Sequence, residues 1–205
     1  MLAFGMLSFG WWYRQIGIDF VRFILDNENI KEKDIELEKD SPRSQYKNMD
    51  VYANIRVGKT IIPVIFEDKT DTFLHDNQES KYIEKIEKLK TGSLFNDNGL
   101  CWREKAQYVF FKTGYVFDWQ REVIENLDKN INAEVKSIYI DDILNFISKH
   151  KDKEFMLADY YEYLLKQVWS MVLKINATDI SEKYLVRTDG FNIIIKVGRQ
   201  KDWDI

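Results

Sequence analysis

The feature that most constrains the fold is a pair of β-rich runs separated by only two residues. The runs MDVYANIRV, residues 49–57, and TIIPVIFEDK, residues 60–69, flank Gly58 and Lys59. Both runs are rich in β-branched and aromatic side chains, which favour strands. A two-residue turn with glycine at its first position is typical of a type II′ hairpin. The sequence therefore predicts two antiparallel strands in which the numbers of opposed residues sum to 117.

That register places Asp50 directly opposite Glu67. Opposed residues in an antiparallel pair have Cβ atoms about 4.5–5.5 Å apart and project from the same face, where like charges are destabilising. Lys69 lies two residues beyond Glu67 and shares that face because side chains alternate along a strand. Two interpretations stay open. In the first, the three residues form a solvated surface cluster in which Lys69 neutralises the acids. In the second, the two carboxylates bind a hard cation such as Mg²⁺.

Pro63 bears directly on this register because it lies inside the second strand. Proline has no backbone N–H and is confined to strand edges, strand starts and bulges. A bulge at Pro63 would shift the pairing of Asp50 with Glu67 by one residue.

The remaining pattern predicts an α/β chain in which helices surround the hairpin. The run QYVFFK, residues 107–112, is continuously apolar in its centre and predicts a strand buried on both faces. Helical spacing or capping residues mark the ends of several further segments. The predicted helices span residues 5–26, 77–91 (with Asp76 as N-cap), 119–129, 141–150 and 154–176; short strands span 34–39 and 137–140; a polar loop spans 40–48; and a second hairpin, residues 182–197, turns at Asp189-Gly190.

Length and composition set the expected context. The 205 residues predict a single domain, with a C-terminal helical and hairpin extension from about residue 141. Cys101 is the only cysteine, which excludes an internal disulfide and a cysteine metal site and favours the cytoplasm. The apolar start is too short to cross a bilayer and lacks a signal-peptide pattern, so no membrane association is expected.

Charge narrows the possible partners. The formal net charge of −4 does not favour nucleic-acid binding by the whole surface, although a local basic face remains possible. Lys81, Lys85 and Lys88 recur at helical spacing in the segment after the hairpin. Such a stripe is typical of a solvated helix face, and it is also suited to following a phosphate backbone.

These residues resemble the PD-(D/E)XK nuclease superfamily. Its signature is an Asp on one strand of a hairpin and Glu/Asp-x-Lys on the next, as Asp50 and Glu67-Asp68-Lys69 are arranged here. The following helix opens with DNQESKY, in which Gln78 and Tyr82 match the Gln-x-x-x-Tyr spacing of the RecB-like branch. Residues four apart share one helix face. The order of helix, three strands, helix and strand matches as well, but Asn48-Met49 stand where many members have a proline.

The resemblance implies a restriction-endonuclease-like core, a central mixed β-sheet flanked by helices, and a nuclease that depends on Mg²⁺ or Mn²⁺. It implies that Asp50, Glu67 and the backbone carbonyl of Asp68 hold the metal. Glu38, on the strand before the hairpin, is a candidate additional ligand. The implied substrate is nucleic acid, foremost DNA, in phage defence or DNA processing, with RNA as an open alternative.

The resemblance also assigns roles to the remaining site residues. Lys69 would orient the attacking water or stabilise developing negative charge, and Gln78 and Tyr82 would position the water, the lysine or the phosphate. The alternative is a non-catalytic module on the same scaffold that binds a protein or nucleic-acid partner. The oligomeric state stays open, and a homodimer is compatible with the sequence.

Overall fold

The structure is a computed structural model in which the chain divides into two compact units. It describes residues 7, 14–70, 78–91, 99–114, 116, 118–129, 131–153, 155–177, 183–189 and 192–198. The first unit comprises residues 1–112 and 116–138, and the second comprises residues 113–115 and 139–205. All of the predicted site residues belong to the first unit.

The first unit contains three described helices and seven strands. The helices are α1 (Arg14–Ile24), α2 (Gln78–Thr91) and α3 (Asp118–Glu125). The strands are β1 (Ile35–Leu37), β2 (Arg43–Tyr46), β3 (Met49–Val57), β4 (Thr60–Lys69), β5 (Cys101–Trp102), β6 (Ala106–Lys112) and β7 (Ala133–Tyr139). Short 3₁₀ turns at Glu32–Asp34 and Leu127–Lys129 complete the unit.

The strands form one mixed, open sheet flanked by helices. Its main path runs β1-β3-β4-β6-β7, with β2 paired to β3 and β5 paired to β4. Strand β3 is antiparallel to β1, β2 and β4, whereas β4 is parallel to β5 and β6. Parallel neighbours require a crossover connection, and α2 lies in the connection between β4 and β6. The predicted α/β class with a central mixed sheet is confirmed.

The first hairpin has the register that its turn predicts. Val57 pairs with Thr60, and the ladder continues without a shift until Val51 pairs with Phe66. Of the two turn residues only Gly58 has a positive φ, of +62°, as a type II′ turn requires. The next opposed pair beyond the ladder is Asp50 with Glu67.

Pro63 is accommodated in the ladder without a bulge. It pairs with Asn54, whose backbone N–H bonds to the Ser41 hydroxyl instead of to β4. In an antiparallel ladder such a non-hydrogen-bonded pair directs its N–H groups away from the partner strand. On the far side of β4, Ile61 is the last residue that pairs with β5 and Val64 is the first that pairs with β6. Pro63 therefore lies in a gap where no hydrogen bond needs its missing N–H.

The two faces of β4 have different surroundings. On one face, the Phe20 ring of α1 stacks on Phe66 with centroids 6.1 Å apart and lies 6.2 Å from the Phe111 ring. Because side chains alternate along a strand, Glu67 projects from the opposite face. Every residue of β6 is buried, which confirms the prediction of a strand covered on both faces.

Three predictions of local structure are wrong in detail. The polar loop predicted for residues 40–48 contains β2, whose side chains are mostly exposed and so show no apolar alternation. The strand predicted at 137–140 begins at Ala133, and the helix predicted for 119–129 ends at Glu125. The two-residue β5 was not predicted, because so short a run carries no periodicity. Asp76 and most residues before Arg14 lie outside the described residues.

The second unit contains two helices and a hairpin. They are α4 (Ile140–Ser148), α5 (Phe155–Ala177), β8 (Lys183–Asp189) and β9 (Asn192–Gly198), with a 3₁₀ turn at Lys151–Lys153. Strands β8 and β9 are antiparallel and close on the pair Asp189–Asn192, as predicted for a hairpin, although Gly190 is not among the described residues. None of the described helices is long and apolar enough to cross a membrane.

Candidate functional site

The candidate site lies at the open end of the β3–β4 hairpin, away from its turn. Asp50 is the second residue of β3 and is half-buried, whereas Glu67 and Lys69 lie in the last three residues of β4. The Asp50 Oδ2 atom accepts the backbone N–H of Asp68 at 2.9 Å. This bond holds the Asp50 carboxylate beside the last residues of β4. The side chain of Lys69 is 13% exposed and its Nζ atom is 2.5 Å from Glu67 Oε1. The structure thus brings these predicted residues together.

Glu67 is the most unusual residue of the site because its side chain is 0% exposed. Neither carboxylate oxygen has a hydrogen-bond partner among the described residues. Lys69 forms an ion pair with Oε1, with its Nζ atom 2.5 Å away. A buried carboxylate that is held by one ion pair but has no hydrogen bond among the described residues remains costly, and a further cation or a proton lowers that cost.

The same burial governs the titration of Glu67. Loss of solvent raises the pKa of Glu67 to about 7, and the charges of Asp50 and Asp68 act in the same direction. Lys69 opposes the rise in pKa through its contact and its positive charge. Without a bound cation, the Glu67 carboxyl group is therefore about half protonated near neutral pH.

The Gln-x-x-x-Tyr residues contact the chain just before Asp50. The Tyr82 side chain is 2% exposed, and its hydroxyl donates to the backbone carbonyl of Asn48 at 2.5 Å. Gln78 Nε2 donates to that same hydroxyl. Burial raises the pKa of Tyr82; the hydrogen bond from Gln78 opposes the rise, and the nearby charge of Glu67 adds to it. Gln78 and Tyr82 are thus placed to position the start of β3, and no described contact directs them to Lys69.

Glu38 is not brought to the site. Its Oε1 atom accepts a hydrogen bond from Arg56 Nε at 3.0 Å, and its backbone N–H bonds to the carbonyl of Asn54. Asn54 lies four residues along β3 from Asp50, a distance of about 13 Å at the usual rise of a strand. Glu38 directly follows β1, which pairs with the turn end of β3, so this candidate ligand forms an ion pair at a different place on the sheet.

Two polar side chains near the site were not predicted from the sequence. Tyr108 of β6 is fully buried, and its hydroxyl has no hydrogen-bond partner among the described residues. Glu79 of α2 is half-buried, and its Oε2 atom likewise has no described hydrogen-bond partner. Tyr108 pairs with Ile65 and therefore shares the sheet face of Glu67. Burial holds the pKa of Tyr108 well above its usual value, and the charges of Glu67 and Glu79 add to this effect. The sequence signal that could have identified Tyr108 is its hydroxyl group inside the apolar run QYVFFK.

Gln45 and Lys112 also reach the site. Gln45 Nε2 donates to Asp50 Oδ1 at 3.3 Å, so both Asp50 oxygens accept a hydrogen bond. Lys112 pairs with Lys69 in the parallel ladder, is 2% exposed, and donates to the carbonyl of Thr70 at 2.6 Å. No sequence signal marks Gln45, because its approach depends on β2. The position of Lys112 at the site follows once the β4–β6 register is known, because that register pairs Lys112 with Lys69.

The donor set can be tested against the metal that the sequence implies. In the described part of the chain, no three acidic, histidine or cysteine side chains are grouped so as to hold a metal ion. Mg²⁺ nevertheless keeps several waters and often binds through only one or two carboxylates. Asp50 and Glu67 supply two, and the Glu67 oxygens accept no hydrogen bond among the described residues. The donor types present therefore fit Mg²⁺ or Mn²⁺ bound through two carboxylates.

Comparison with protein-family models, with curated proteins and with solved structures finds no match to this chain in any of the three.

Proposed function

We propose that this protein is a metal-dependent nuclease with a restriction-endonuclease-like core that hydrolyses phosphodiester bonds of nucleic acid, foremost DNA. One observation carries the proposal: the fully buried Glu67 carboxylate has no hydrogen-bond partner among the described residues, and it lies near Asp50 and is ion-paired with Lys69. A structural ion pair has no need of such an arrangement. A site that exchanges a cation does need oxygens that the protein leaves unbonded.

In this proposal Asp50 and Glu67 hold Mg²⁺ or Mn²⁺, together with the backbone carbonyl of Asp68. When bound, the ion polarises the scissile phosphate and lowers the pKa of a bound water. Lys69 carries a positive charge on a side chain that is only 13% exposed. In such a place, fixed positive charge stabilises the negative charge that develops on the phosphate. The partial exposure of Lys69 also allows it to contact a substrate.

Tyr82 and Gln78 have a positioning role in this proposal. The Tyr82 hydroxyl holds the Asn48 carbonyl, and Asn48 is two residues before Asp50. Fixing that carbonyl limits the movement of the Asp50 backbone. Gln78 in turn orients the Tyr82 hydroxyl. Their effect on hydrolysis would therefore pass through the carboxylate and not through the substrate.

The topology supports the assignment of the core. A hairpin carries the acids, a helix with the Gln-x-x-x-Tyr spacing follows, and the next main strand, β6, is parallel to β4. The resemblance implies helix, three strands, helix and strand; the structure contains these elements and adds β2 before α2 and β5 before β6. The acids and the lysine lie where β4 ends, and α2 follows β4 in the chain.

A non-catalytic module is the second candidate, and Asp50 is the observation that favours it. Both of its carboxylate oxygens accept hydrogen bonds, from Gln45 Nε2 and from the Asp68 N–H. Asp50 is thus stabilised by protein contacts alone. A scaffold that binds a partner through its surface would need no cation affinity there.

Cleavage assays separate the two candidates. Wild-type protein would be incubated with plasmid, linear duplex, single-stranded DNA and RNA, each with Mg²⁺, Mn²⁺ or EDTA. A nuclease cleaves at least one substrate with a divalent ion and none with EDTA. Lys69→Ala should abolish cleavage, whereas Lys59→Ala, at the turn roughly 30 Å away along β4, should not. Absence of cleavage on all substrates, together with no metal binding by calorimetry, would favour the module.

A further inference from the structure

The segment of residues 43–48, which comprises β2 and its link to β3, has an unusual backbone beside the site. Gln45, Lys47 and Asn48 all have positive φ values, of 52°, 52° and 69°. Residues other than glycine seldom adopt this region, and asparagine does so more readily than glutamine or lysine. Such conformations persist only where surrounding contacts hold them, and they are concentrated at binding and catalytic sites.

Helix α2 supplies the contacts that hold this segment. Tyr82 donates to the carbonyl of Asn48, and Lys85 Nζ donates to the carbonyl of Lys47 at 2.7 Å. On its other side, Gln45 Nε2 reaches Asp50 Oδ1. The segment is therefore fixed between the helix and a site carboxylate. Whatever binds its exposed surface lies next to Asp50.

The side chains that this segment displays are basic. Arg43 and Lys47 are exposed, with Arg43 Cζ 4.9 Å and Lys47 Nζ 5.6 Å from the centroid of the Tyr46 ring. That ring stacks on Tyr52 at 5.5 Å, so aromatic neighbours and cations already surround it. Asp40 offsets part of the Arg43 charge at 3.5 Å. A ligand that approaches this surface therefore meets the positive charges of Arg43 and Lys47 rather than an uncovered face of the Tyr46 ring.

The basic character continues onto α2. Lys85 lies 5.3 Å from the centroid of the Tyr82 ring and beside Lys47. Lys81 is exposed one turn earlier on the same helix face. We define Arg43, Lys47, Lys81 and Lys85 as the basic strip. The positive charge of the basic strip contrasts with the net charge of −4 for the whole chain. A polyanion is repelled by most of such a protein and needs a local basic surface to approach.

We propose that the basic strip binds the sugar-phosphate backbone of a nucleic-acid strand and leads it to the Asp50 and Glu67 carboxylates, through phosphate contacts and without base recognition. The identity of the partner rests on the proposed nuclease function. Phosphate contacts position a nucleic acid but carry no sequence information. Binding should therefore be independent of sequence and strongly dependent on salt.

The test measures binding without cleavage. Fluorescence anisotropy would follow labelled single-stranded and duplex DNA, and the matching RNAs, in EDTA from 50 to 200 mM salt. The variant Lys47→Gln, Lys85→Gln removes two charges of the strip. The control Lys33→Gln, Lys59→Gln removes two exposed lysines that lie outside the basic strip. The strip variant should bind on the order of ten-fold more weakly. A plot of the logarithm of its binding constant against the logarithm of salt concentration should be less steep, by about 1.4 on single strands and about 1.8 on duplex.

The outcomes distinguish this inference from the proposed function. Equal weakening by the strip and control variants, no weakening by either, or no binding of any wild-type sample would overturn the inference. Lys47→Arg should bind as wild type does, because it keeps the charge; its failure to bind would also overturn the inference. Loss of binding confined to the strip variant supports the inference even where no substrate is cleaved. In that case only the nuclease proposal fails.

Discussion

Two regions of the β3–β4 hairpin carry the same charges in different surroundings. Near the turn, Arg56 of β3 forms ion pairs with two acids of the preceding strand segment, Glu36 and Glu38. All three side chains are between 19% and 49% exposed. Water and the forked guanidinium group together satisfy the carboxylates there. This cluster needs nothing else to be stable.

At the open end one cation again meets two acids. Lys69 is paired with Glu67 at 2.5 Å, and Asp50 lies alongside. Here Glu67 is 0% exposed, and neither of its oxygens has a hydrogen-bond partner among the described residues. Both clusters thus pair acids with a basic side chain, and burial is the difference that most affects the acids. The comparison shows that an incompletely satisfied carboxylate, and not an acidic cluster as such, marks the candidate site.

The largest expected effect contrasts the two cations. Lys69→Ala should lower the cleavage rate at least about 100-fold, because removal of one fixed charge-stabilising group commonly costs that much. Arg56→Ala should leave the cleavage rate within a few-fold of wild type and lower the free energy of unfolding by less than about 1 kcal/mol. Rates on the preferred substrate and thermal melts would measure both. Cleavage at the wild-type rate by Lys69→Ala would contradict the role assigned to this lysine.

The second effect is the pH dependence of stability in EDTA. Glu67 has a folded-state pKa of about 7 against an ordinary value of 4.5, so the folded protein binds the proton more tightly than the unfolded chain does. Stability should therefore fall as pH rises from about 4.5 to 7, by about 3 kcal/mol in total. Denaturant unfolding at pH 5 and pH 8 would measure the difference.

Matched variants assign that pH dependence to one residue. Glu67→Gln should remove most of the fall in stability between pH 5 and pH 8. Glu38→Gln should keep it, because Glu38 is partly exposed and paired with Arg56. If stability still falls between pH 5 and pH 8 in Glu67→Gln, another group is responsible for the pH dependence. Burial of Glu67 would then not be what distinguishes the two clusters.

The third effect is stabilisation by metal. A ligand that binds only the folded state raises stability by about 2.7 kcal/mol when its concentration is 100 times its Kd. Mg²⁺ or Mn²⁺ should raise the melting temperature of wild type and of Glu38→Gln, but should do little to Asp50→Asn. Differential scanning fluorimetry with and without metal gives each difference within one variant. An equal rise in Asp50→Asn would place the cation elsewhere.

The smallest effects come from a pair of tyrosines that lie near the same carboxylate. Tyr82→Phe removes the hydroxyl that bonds to the Asn48 carbonyl and should lower stability by about 1 kcal/mol. Tyr108→Phe removes a buried hydroxyl that lacks a described partner, so it should be neutral or slightly stabilising. Urea unfolding of both variants would test the contrast. A clear loss of stability in Tyr108→Phe would indicate that a bound group uses its hydroxyl.

Local sequence signals were sufficient for the elements that carry the site. The bounds of β3 and β4 were predicted to the residue, because a two-residue glycine turn sets the register and β-rich runs fill the strands. The same reasoning failed for β2, which is polar and mostly exposed. Its pairing depends on the neighbouring edge of β3. Gln45 therefore could not be recognised as a contact of Asp50.

The sequence by itself determined which residues share a face at the open end of the hairpin, because strand alternation and turn length are local properties. Only the tertiary structure decided how deeply each residue is buried. Strand β6 lies alongside β4, and the buried side chains of Tyr108 and Tyr82 lie near the Glu67 carboxylate. Glu67 therefore has no solvent-exposed surface, whereas Glu38 remains partly exposed. Desolvation depends on neighbours that are distant in the chain, so the perturbed carboxylate became visible only in the fold. The same holds for the Tyr82–Asn48 bond and for the position of Lys47 beside Lys85 of the predicted lysine stripe.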